Sequence, residues 1–177
     1  HVTALVTRQA TVAGLVQGIG FRPYVARLAE QEGLTGFVRN DGGTVFLTVT
    51  GEEAAVCRFL HAVPLCPGAQ VTRMDVQNVP LVSFDAFTIT PSREGDGVLP
   101  WLSPDLGTCE QCEAELLDPK NRRFRHPFIS CVQCGPRYSI QRALPYDRAR
   151  ITMAEFPLCD DCQKEYEEKG NRRRHAQ

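Results

Sequence analysis

The sequence has no long hydrophobic run and no excess of basic charge. No apolar stretch approaches the ~18 residues that a membrane-crossing helix needs. The first residues also have no basic stretch followed by an apolar core and a small-residue cleavage site, so no secretory signal is predicted. The formal net charge of −1 argues against a generally basic nucleic-acid-binding protein. These absences predict a cytoplasmic protein without a membrane span.

The composition is that of a globular protein, with 42% hydrophobic and 23% charged residues. A chain of 177 residues suffices for one ordinary domain or two small ones. In a reducing compartment its eight cysteines are expected to be metal ligands or buried thiols rather than disulfides. Six of them form three Cys-x-x-Cys pairs: Cys109 with Cys112, Cys131 with Cys134, and Cys159 with Cys162.

Residues 1–91 alternate between strand and helix patterns. Strands are predicted at 2–15, 37–40, 44–50, 71–79 and 84–90, and amphipathic helices at 22–32 and 52–62. The order strand, helix, strand, strand, helix, strand predicts an α+β fold of the ferredoxin-like βαββαβ kind. Such a domain has an antiparallel sheet with both helices on one face.

The second half of the chain changes character. Residues 92–108 are rich in Ser, Gly and Pro and are predicted to be a linker. In residues 109–177 only 110–117 and 160–168 have a helical pattern, and the cysteine pairs are the only repeat that the pattern indicates. A segment with so few core residues needs another source of stability, which the cysteines are expected to supply through a metal.

The turn between the first strand and the first helix has the sequence Gly14-Leu-Val-Gln-Gly-Ile-Gly-Phe-Arg22. A glycine-rich turn before a helix presents several backbone N–H groups to one anion, and an arginine there adds a fork for two phosphate oxygens. A plain turn with a solvated arginine is the alternative. The predicted phosphate-binding residues are Gln17, Gly18, Ile19, Gly20, Phe21 and Arg22.

A second segment, Gly36-Phe-Val-Arg-Asn-Asp-Gly-Gly-Thr-Val45, together with this loop resembles the paired signature of the acylphosphatase family over residues 1–91. The resemblance implies that Arg22 binds the phosphoryl group and that the side chain of Asn40 orients the attacking water. An acyl phosphate has a weakly basic leaving group, so its hydrolysis needs no general acid. Positioning a water and neutralising the transition state are most of the task.

The first two cysteine pairs are separated by 18 residues and predict a tetrahedral Zn²⁺ site with Cys109, Cys112, Cys131 and Cys134 as ligands. Iron is the minor alternative. Four thiolates leave such a site with a charge of about −2. Residues 118–150 carry eight basic and two acidic side chains, which are expected to screen that charge rather than to bind nucleic acid. The basic run at 172–174 is expected to be solvated.

Cys159 and Cys162 are predicted to hold a second Zn²⁺ together with cysteines beyond Gln177, so that the chain is cut inside a second zinc module. A redox-active dithiol is the competing interpretation. It is disfavoured because Asp160 and Asp161 are expected to raise the pKa of these thiols.

The order of these motifs resembles the N-terminal part of the HypF family of hydrogenase maturation carbamoyltransferases. The segments Arg125-His-Pro-Phe-Ile, Cys134-Gly-Pro-Arg-Tyr and Ala143-Leu-Pro-Tyr-Asp-Arg148 extend the resemblance over essentially the whole chain. It implies hydrolysis of carbamoyl phosphate to carbamate and phosphate. This is the first step of carbamoyl transfer to HypE, which leads to the cyanide ligand of [NiFe] hydrogenase. The alternative is a catalytically inactive, zinc-dependent module that binds nucleic acid or a protein partner.

Overall fold

A computed structural model describes residues 4–93 and 105–176. Most of the linker predicted at 92–108 therefore lies outside the described residues. The contacts divide the chain into two compact units. The described part of the first comprises 4–17 and 21–93, and that of the second comprises Gly18–Gly20 and 105–176.

The first unit is an α+β domain with seven elements in the order β1, α1, β2, β3, α2, β4, β5. The strands are β1 (Leu5–Leu15), β2 (Thr35–Asp41), β3 (Thr44–Glu52), β4 (Gln70–Val79) and β5 (Phe87–Ile89). The helices are α1 (Phe21–Gln31) and α2 (Glu53–Ala62). The strand order is β4-β1-β3-β2-β5, so the first four strands have the arrangement that the βαββαβ pattern predicts.

The sheet is mixed, which corrects the prediction of an antiparallel sheet. β5 pairs in parallel with β2, with Phe87 opposite Gly36. The cause is the segment after β4, which crosses the sheet over β1 and β3. There the N–H of Val82 donates to Thr7 Oγ1 at 2.9 Å, and Thr50 Oγ1 donates to the carbonyl of Val82 at 2.8 Å. The chain thus reaches the edge opposite β4 and joins it in the direction of β2.

The apolar core lies between the helices and one face of the sheet. Side chains that are opposite one another in an antiparallel pair share a face, and Leu47 is opposite both Ala10 and Val38. α1 contacts β2 and β5, while α2 contacts β1 and β3. The fully buried residues of this core include Val12, Val25, Val38, Val45, Leu47, Val49, Val56 and Phe59. Asn40 is two residues after Val38 and lies on the same face of β2.

The second unit contains little regular structure besides α3 (Glu110–Leu117) and α4 (Asp160–Glu167). Both helices confirm the sequence predictions. Each follows the first cysteine of a Cys-x-x-Cys pair, and each is followed by a turn in which an asparagine Oδ1 accepts from the backbone N–H two residues later. These bonds, from Arg123 to Asn121 and from Arg173 to Asn171, are both 2.9 Å long.

The two helix-and-turn segments are copies of one another, separated by 50 residues, so the cysteine pairs are not the only repeat. We call residues 109–126 the first half-finger and residues 159–176 the second. Corresponding backbone positions even share an unusual left-handed conformation, with φ of 57° at Arg125 and 53° at His175. Identical side chains at corresponding positions are Cys109 and Cys159, Cys112 and Cys162, Glu115 and Glu165, Asn121 and Asn171, Arg122 and Arg172, and Arg123 and Arg173.

Candidate phosphate site and metal centre

The predicted phosphate loop is the non-helical connection between β1 and α1. Gly18 and Gly20 have φ of 73° and 75°, a region in which a residue with a Cβ is strained. The helix begins at Phe21 immediately afterwards, so its first N–H groups lack intrahelical acceptors. The loop therefore has the tight backbone curvature and the helix N-terminus on which the sequence prediction depends.

Gln17 has a structural part that the sequence did not indicate. Its buried side chain donates from Nε2 to the carbonyls of Gly42, at 2.9 Å, and Thr44, at 3.1 Å. These carbonyls belong to the turn between β2 and β3, directly after Asn40. The side chain of Gln17 thus ties the start of the phosphate loop to the second motif. A glutamine in a turn has no pattern that would have predicted this.

Asn40 is 1% exposed, and neither its Oδ1 nor its Nδ2 has a hydrogen-bond partner among the described residues. Its backbone is held in the β2–β3 ladder opposite Val45, and its carbonyl accepts from the N–H of Arg93 at 2.9 Å. A buried amide without a partner costs about 1–3 kcal/mol, and in native proteins it calls for a functional explanation.

Arg22 is the second residue of α1 and is half-buried. α1 packs against β2, and Asn40 lies on the helix-covered face of β2. The two predicted catalytic side chains therefore belong to one layer of the first unit, between the helices and the sheet. A guanidinium beside a helix N-terminus adds a full positive charge to the partial charge of the helix dipole.

Four of the predicted metal ligands form one cluster. The Sγ atoms of Cys109, Cys112, Cys131 and Cys134 all lie within 4.8 Å of one another. Cys109 and Cys131 are 3.6 Å apart, and Cys131 and Cys134 are 3.9 Å apart. Tetrahedral coordination with Zn–S bonds of ~2.3 Å requires S–S distances of roughly 3.8 Å. The donor set and its spacing therefore fit a four-thiolate metal site.

The backbone and the burial of this cluster have opposite effects on its thiols. Burial acts to raise the pKa of Cys134, but hydrogen bonds from the backbone N–H groups of Cys109, at 3.3 Å, and Cys131 outweigh it and lower that pKa to about 7. Burial raises the pKa of Cys112 to about 12. Metal binding at neutral pH must therefore displace a proton from Cys112, since the thiolate is the ligand.

The third predicted pair is not part of this cluster. Cys159 is exposed and Cys162 is half-buried. The pKa of Cys159 is lowered, chiefly because the backbone N–H of Cys162 donates to its sulfur. The expectation that Asp160 and Asp161 would raise it is wrong. The reason is the position of Cys159 at the N-terminus of α4, where free N–H groups face the sulfur.

The basic run at 172–174 is not a solvated surface, which corrects a second expectation. Arg172 Nη1 lies 2.9 Å from Cys112 Sγ, and Arg173 also pairs with Glu115. The side chain of Arg173 is 11% exposed. The basic residues between the cysteine pairs, to which screening of the first site was assigned, do not make these contacts. The sequence could not have indicated this, because about 60 residues separate the partners.

None of the described helices is long and apolar enough to cross a bilayer.

Comparison with known proteins supports both halves of this description. A family model described as acylphosphatase matches residues 8–89, and one described as HypF finger matches residues 108–141 and 158–177. An acylphosphatase from Thermotoga maritima is 41% identical over 80 residues, which are 44% of this chain and 89% of that protein. The chain therefore belongs to the acylphosphatase family in its first unit, which is a domain of hydrolase type.

The relatives with both parts are longer. The carbamoyltransferase HypF of Synechocystis sp. is 46% identical over 147 residues, which are 82% of this chain and 19% of that protein. A crystal structure of full-length HypF in a phosphate- and nucleotide-bound form superposes with a TM-score of 0.91 at 40% identity, over 100% of this chain and 24% of that one. The chain thus corresponds to the N-terminal region of HypF carbamoyltransferases and spans about a fifth of their length.

Proposed function

We propose that the first unit hydrolyses carbamoyl phosphate to carbamate and phosphate. Arg22 and the N–H groups of residues 17–22 bind the phosphoryl group, and the side chain of Asn40 orients the attacking water. The membership of the acylphosphatase family supports the reaction class. The names of the HypF relatives support carbamoyl phosphate as the particular acyl phosphate.

The buried, unpartnered amide of Asn40 is the observation that supports this most directly. Nδ2 is a donor and Oδ1 an acceptor, so one amide is able to hold a phosphoryl oxygen and a water at once. A folded protein retains such a group at a cost when it has a use in binding or catalysis. Because Asn40 is fixed in the β2–β3 ladder, little reorganisation is needed at the moment of reaction.

Positive charge is the other requirement of this reaction. The three non-bridging oxygens of the phosphoryl group carry charge throughout the displacement, and the leaving carbamate takes up more. Arg22 and the N-terminus of α1 are placed in sequence to stabilise that charge. No proton transfer to the leaving group is needed, because carbamate is a weak base.

We further propose that the first cysteine cluster binds Zn²⁺ and that Cys159 and Cys162 bind a second Zn²⁺ together with cysteines outside these 177 residues. Zinc would supply structural stability and no chemistry of the hydrolysis. For the whole protein we propose carbamoyl transfer to HypE in hydrogenase maturation, which rests on the resemblance to HypF. The expectation of a cytoplasmic location remains part of this proposal.

Nucleic-acid binding by the basic segment has less support. Arg123 pairs with Glu165, and Arg142 pairs with Glu155. Arg148 Nη2 donates to the carbonyls of Met153 and Phe156. Guanidinium groups with internal acceptors are less available to a phosphate backbone.

The experiment is phosphate release from carbamoyl phosphate by the wild type and by Arg22→Ala. Loss of one charge-stabilising donor lowers kcat by about 100-fold to 1,000-fold in comparable sites, and we expect a loss of at least this size. Arg27→Ala is the matched control, because Arg27 is an exposed arginine of the same helix. It should retain the wild-type rate. Equal rates for wild type and Arg22→Ala would remove the proposed function.

A further inference from the structure

We propose that the arginine pair of each half-finger belongs to the metal site of the other. Arg172 and Arg173 of the second half-finger orient and charge-balance the thiolates of the first cysteine cluster. Arg122 and Arg123 of the first half-finger do the same for Cys162. The inference is independent of the proposed hydrolysis and concerns how the chain holds a metal.

The contacts to the first cluster are made by two side chains about 60 residues from their partners. Arg172 Nη1 lies 2.9 Å from Cys112 Sγ and 4.0 Å from Cys109 Sγ. Arg173 Nη2 lies 3.8 Å from Cys112 Sγ. The same segment also bonds the cluster through its backbone, since the carbonyl of Arg172 accepts from the N–H of Val132 at 3.0 Å. Val132 follows Cys131, so the second half-finger touches both cysteine pairs of this site.

The corresponding contacts recur 50 residues earlier with the roles exchanged. Arg122 Nη1 lies 3.4 Å from Cys162 Sγ, and Arg123 Nη2 lies 3.7 Å from the same atom. The exposures of corresponding arginines also agree, with 12% for the side chain of Arg123 and 11% for that of Arg173. Two independent occurrences of the same arrangement argue that it is a designed feature of the module.

A glutamate holds each arginine pair in position. Glu115 pairs with both Arg172 and Arg173. Glu165 pairs with Arg123 and, at 2.9 Å, with Arg122. Each glutamate lies three residues after the second cysteine of its own pair, so it is on the helix that also carries the thiolate. The carboxylate therefore aims the guanidinium groups at the sulfur, as second-shell groups of metal sites do.

Electrostatics explains why such a site benefits from arginine. A divalent cation with four thiolates carries a charge of about −2, which is unfavourable in a buried position. Three of the four thiols of this cluster are buried. Two guanidinium groups offset more negative charge than Glu115 adds, and their N–H groups donate to the sulfur. An arginine cannot lose its proton, so this compensation persists at all accessible pH values.

The arrangement makes the first metal site depend on a segment that contributes none of its ligands. We expect Zn²⁺ affinity of the first cluster to fall by about tenfold to 100-fold when Arg172→Gln and Arg173→Gln are combined, the range seen for second-shell groups. Affinity is measured in the 177-residue chain by competition with a chromophoric chelator. With Co²⁺ in the site, the thiolate-to-metal charge-transfer band should move to lower energy, because sulfur loses N–H donors.

The repeat provides the matched control. Arg122→Gln combined with Arg123→Gln removes the same charge from the corresponding positions, but those arginines contact Cys162. This variant should keep the affinity of the first cluster within about twofold and leave its Co²⁺ spectrum unchanged, whereas Arg172→Lys, which keeps a charge and a donor, should give an intermediate affinity.

Two results would overturn the inference: a wild-type affinity in the Arg172→Gln, Arg173→Gln variant, or equal losses in both double variants. If the first variant loses the helical circular dichroism of the second half-finger, Glu115→Gln provides a milder test. It retains both arginines and removes the charge that aims them. A weaker Zn²⁺ affinity with intact circular dichroism then supports the inference, and an unchanged affinity contradicts it.

Discussion

Asn40 shows at the scale of one residue how a catalytic group is paid for in stability. Its amide is buried and has no hydrogen-bond partner among the described residues. The folded state therefore carries a desolvation cost that an apolar side chain of similar size would not have. Stability and activity are expected to respond in opposite directions to substitution at this position.

We predict that Asn40→Leu lowers phosphate release by about 100-fold while it leaves the free energy of unfolding unchanged or raises it by about 1 kcal/mol. Thr48→Val is the control, because the Thr48 hydroxyl is also buried without a partner among the described residues but lies on the opposite face of the sheet. It should give the same change in stability at full activity. Urea unfolding and the phosphate assay measure the two effects. A loss of several kcal/mol in Asn40→Leu would show that Asn40 is a packing residue.

The sequence alone identified Arg22 and Asn40 as candidates because both stand in short motifs with a local signature. It could not reveal the features that make Asn40 unusual, since burial and the lack of a partner depend on β2, β3 and α1 together. Gln17 illustrates the same limit: its position was predicted, but its bonds to Gly42 and Thr44 connect two motifs across 25 residues or more.

At the scale of elements, α2 is joined to the edge of the sheet by an aromatic contact. The ring of Phe59 is fully buried, and its centroid lies 6.0 Å from that of Phe87 in β5 at an interplanar angle of 60°. β5 has three residues and hydrogen-bonds to one neighbour, β2, so side-chain packing must contribute much of its stability.

We predict that Phe59→Ala destabilises the first unit by about 3–5 kcal/mol and that amide protection is lost first in β5. Cys57→Ala on the exposed face of the same helix should change stability by no more than about 0.5 kcal/mol. Chemical denaturation gives the free energies, and hydrogen exchange gives the order of opening. Protection of 87–89 that outlasts that of β4 would contradict this assignment.

The helices and the first four strands could be predicted because each has its own periodicity and its own turn residues. The direction of β5 could not. It is set by the path of residues 80–86 across the sheet, which is held by Thr7 and Thr50. Threonines in a strand pattern are ordinary, and the sequence does not show that a later segment will lie on them.

At the scale of the whole molecule, the two units differ in what stabilises them. The first has an apolar core of valine, leucine and phenylalanine side chains. In the second, the buried cluster around the metal site consists of Ile129 with Cys112, Cys131 and Cys134. Three thiols and one aliphatic side chain cannot offset the entropy of ordering such a segment, so the metal must do so.

This difference predicts that a strong chelator unfolds the second unit and leaves the sheet of the first intact. Without the cation, burial favours protonated thiols at Cys112, and the eight-residue helices α3 and α4 are too short to persist alone. Hydrogen exchange should therefore rise throughout 109–134 and, through the exchanged arginines, in 159–176, while β1 and β3 remain protected. Addition of Zn²⁺ should restore the original pattern.

Cys112→Ser should reproduce the effect of the chelator, and Cys57→Ser should not, since Cys57 is exposed on α2 and outside the cluster. The response of 159–176 separates two explanations. If the half-fingers are joined through the arginine pairs, loss of the first metal site exposes both of them. Protection of 159–176 that survives chelation would mean that the second half-finger is stable by itself, and simultaneous loss of protection in β1 would mean that the two units do not fold independently.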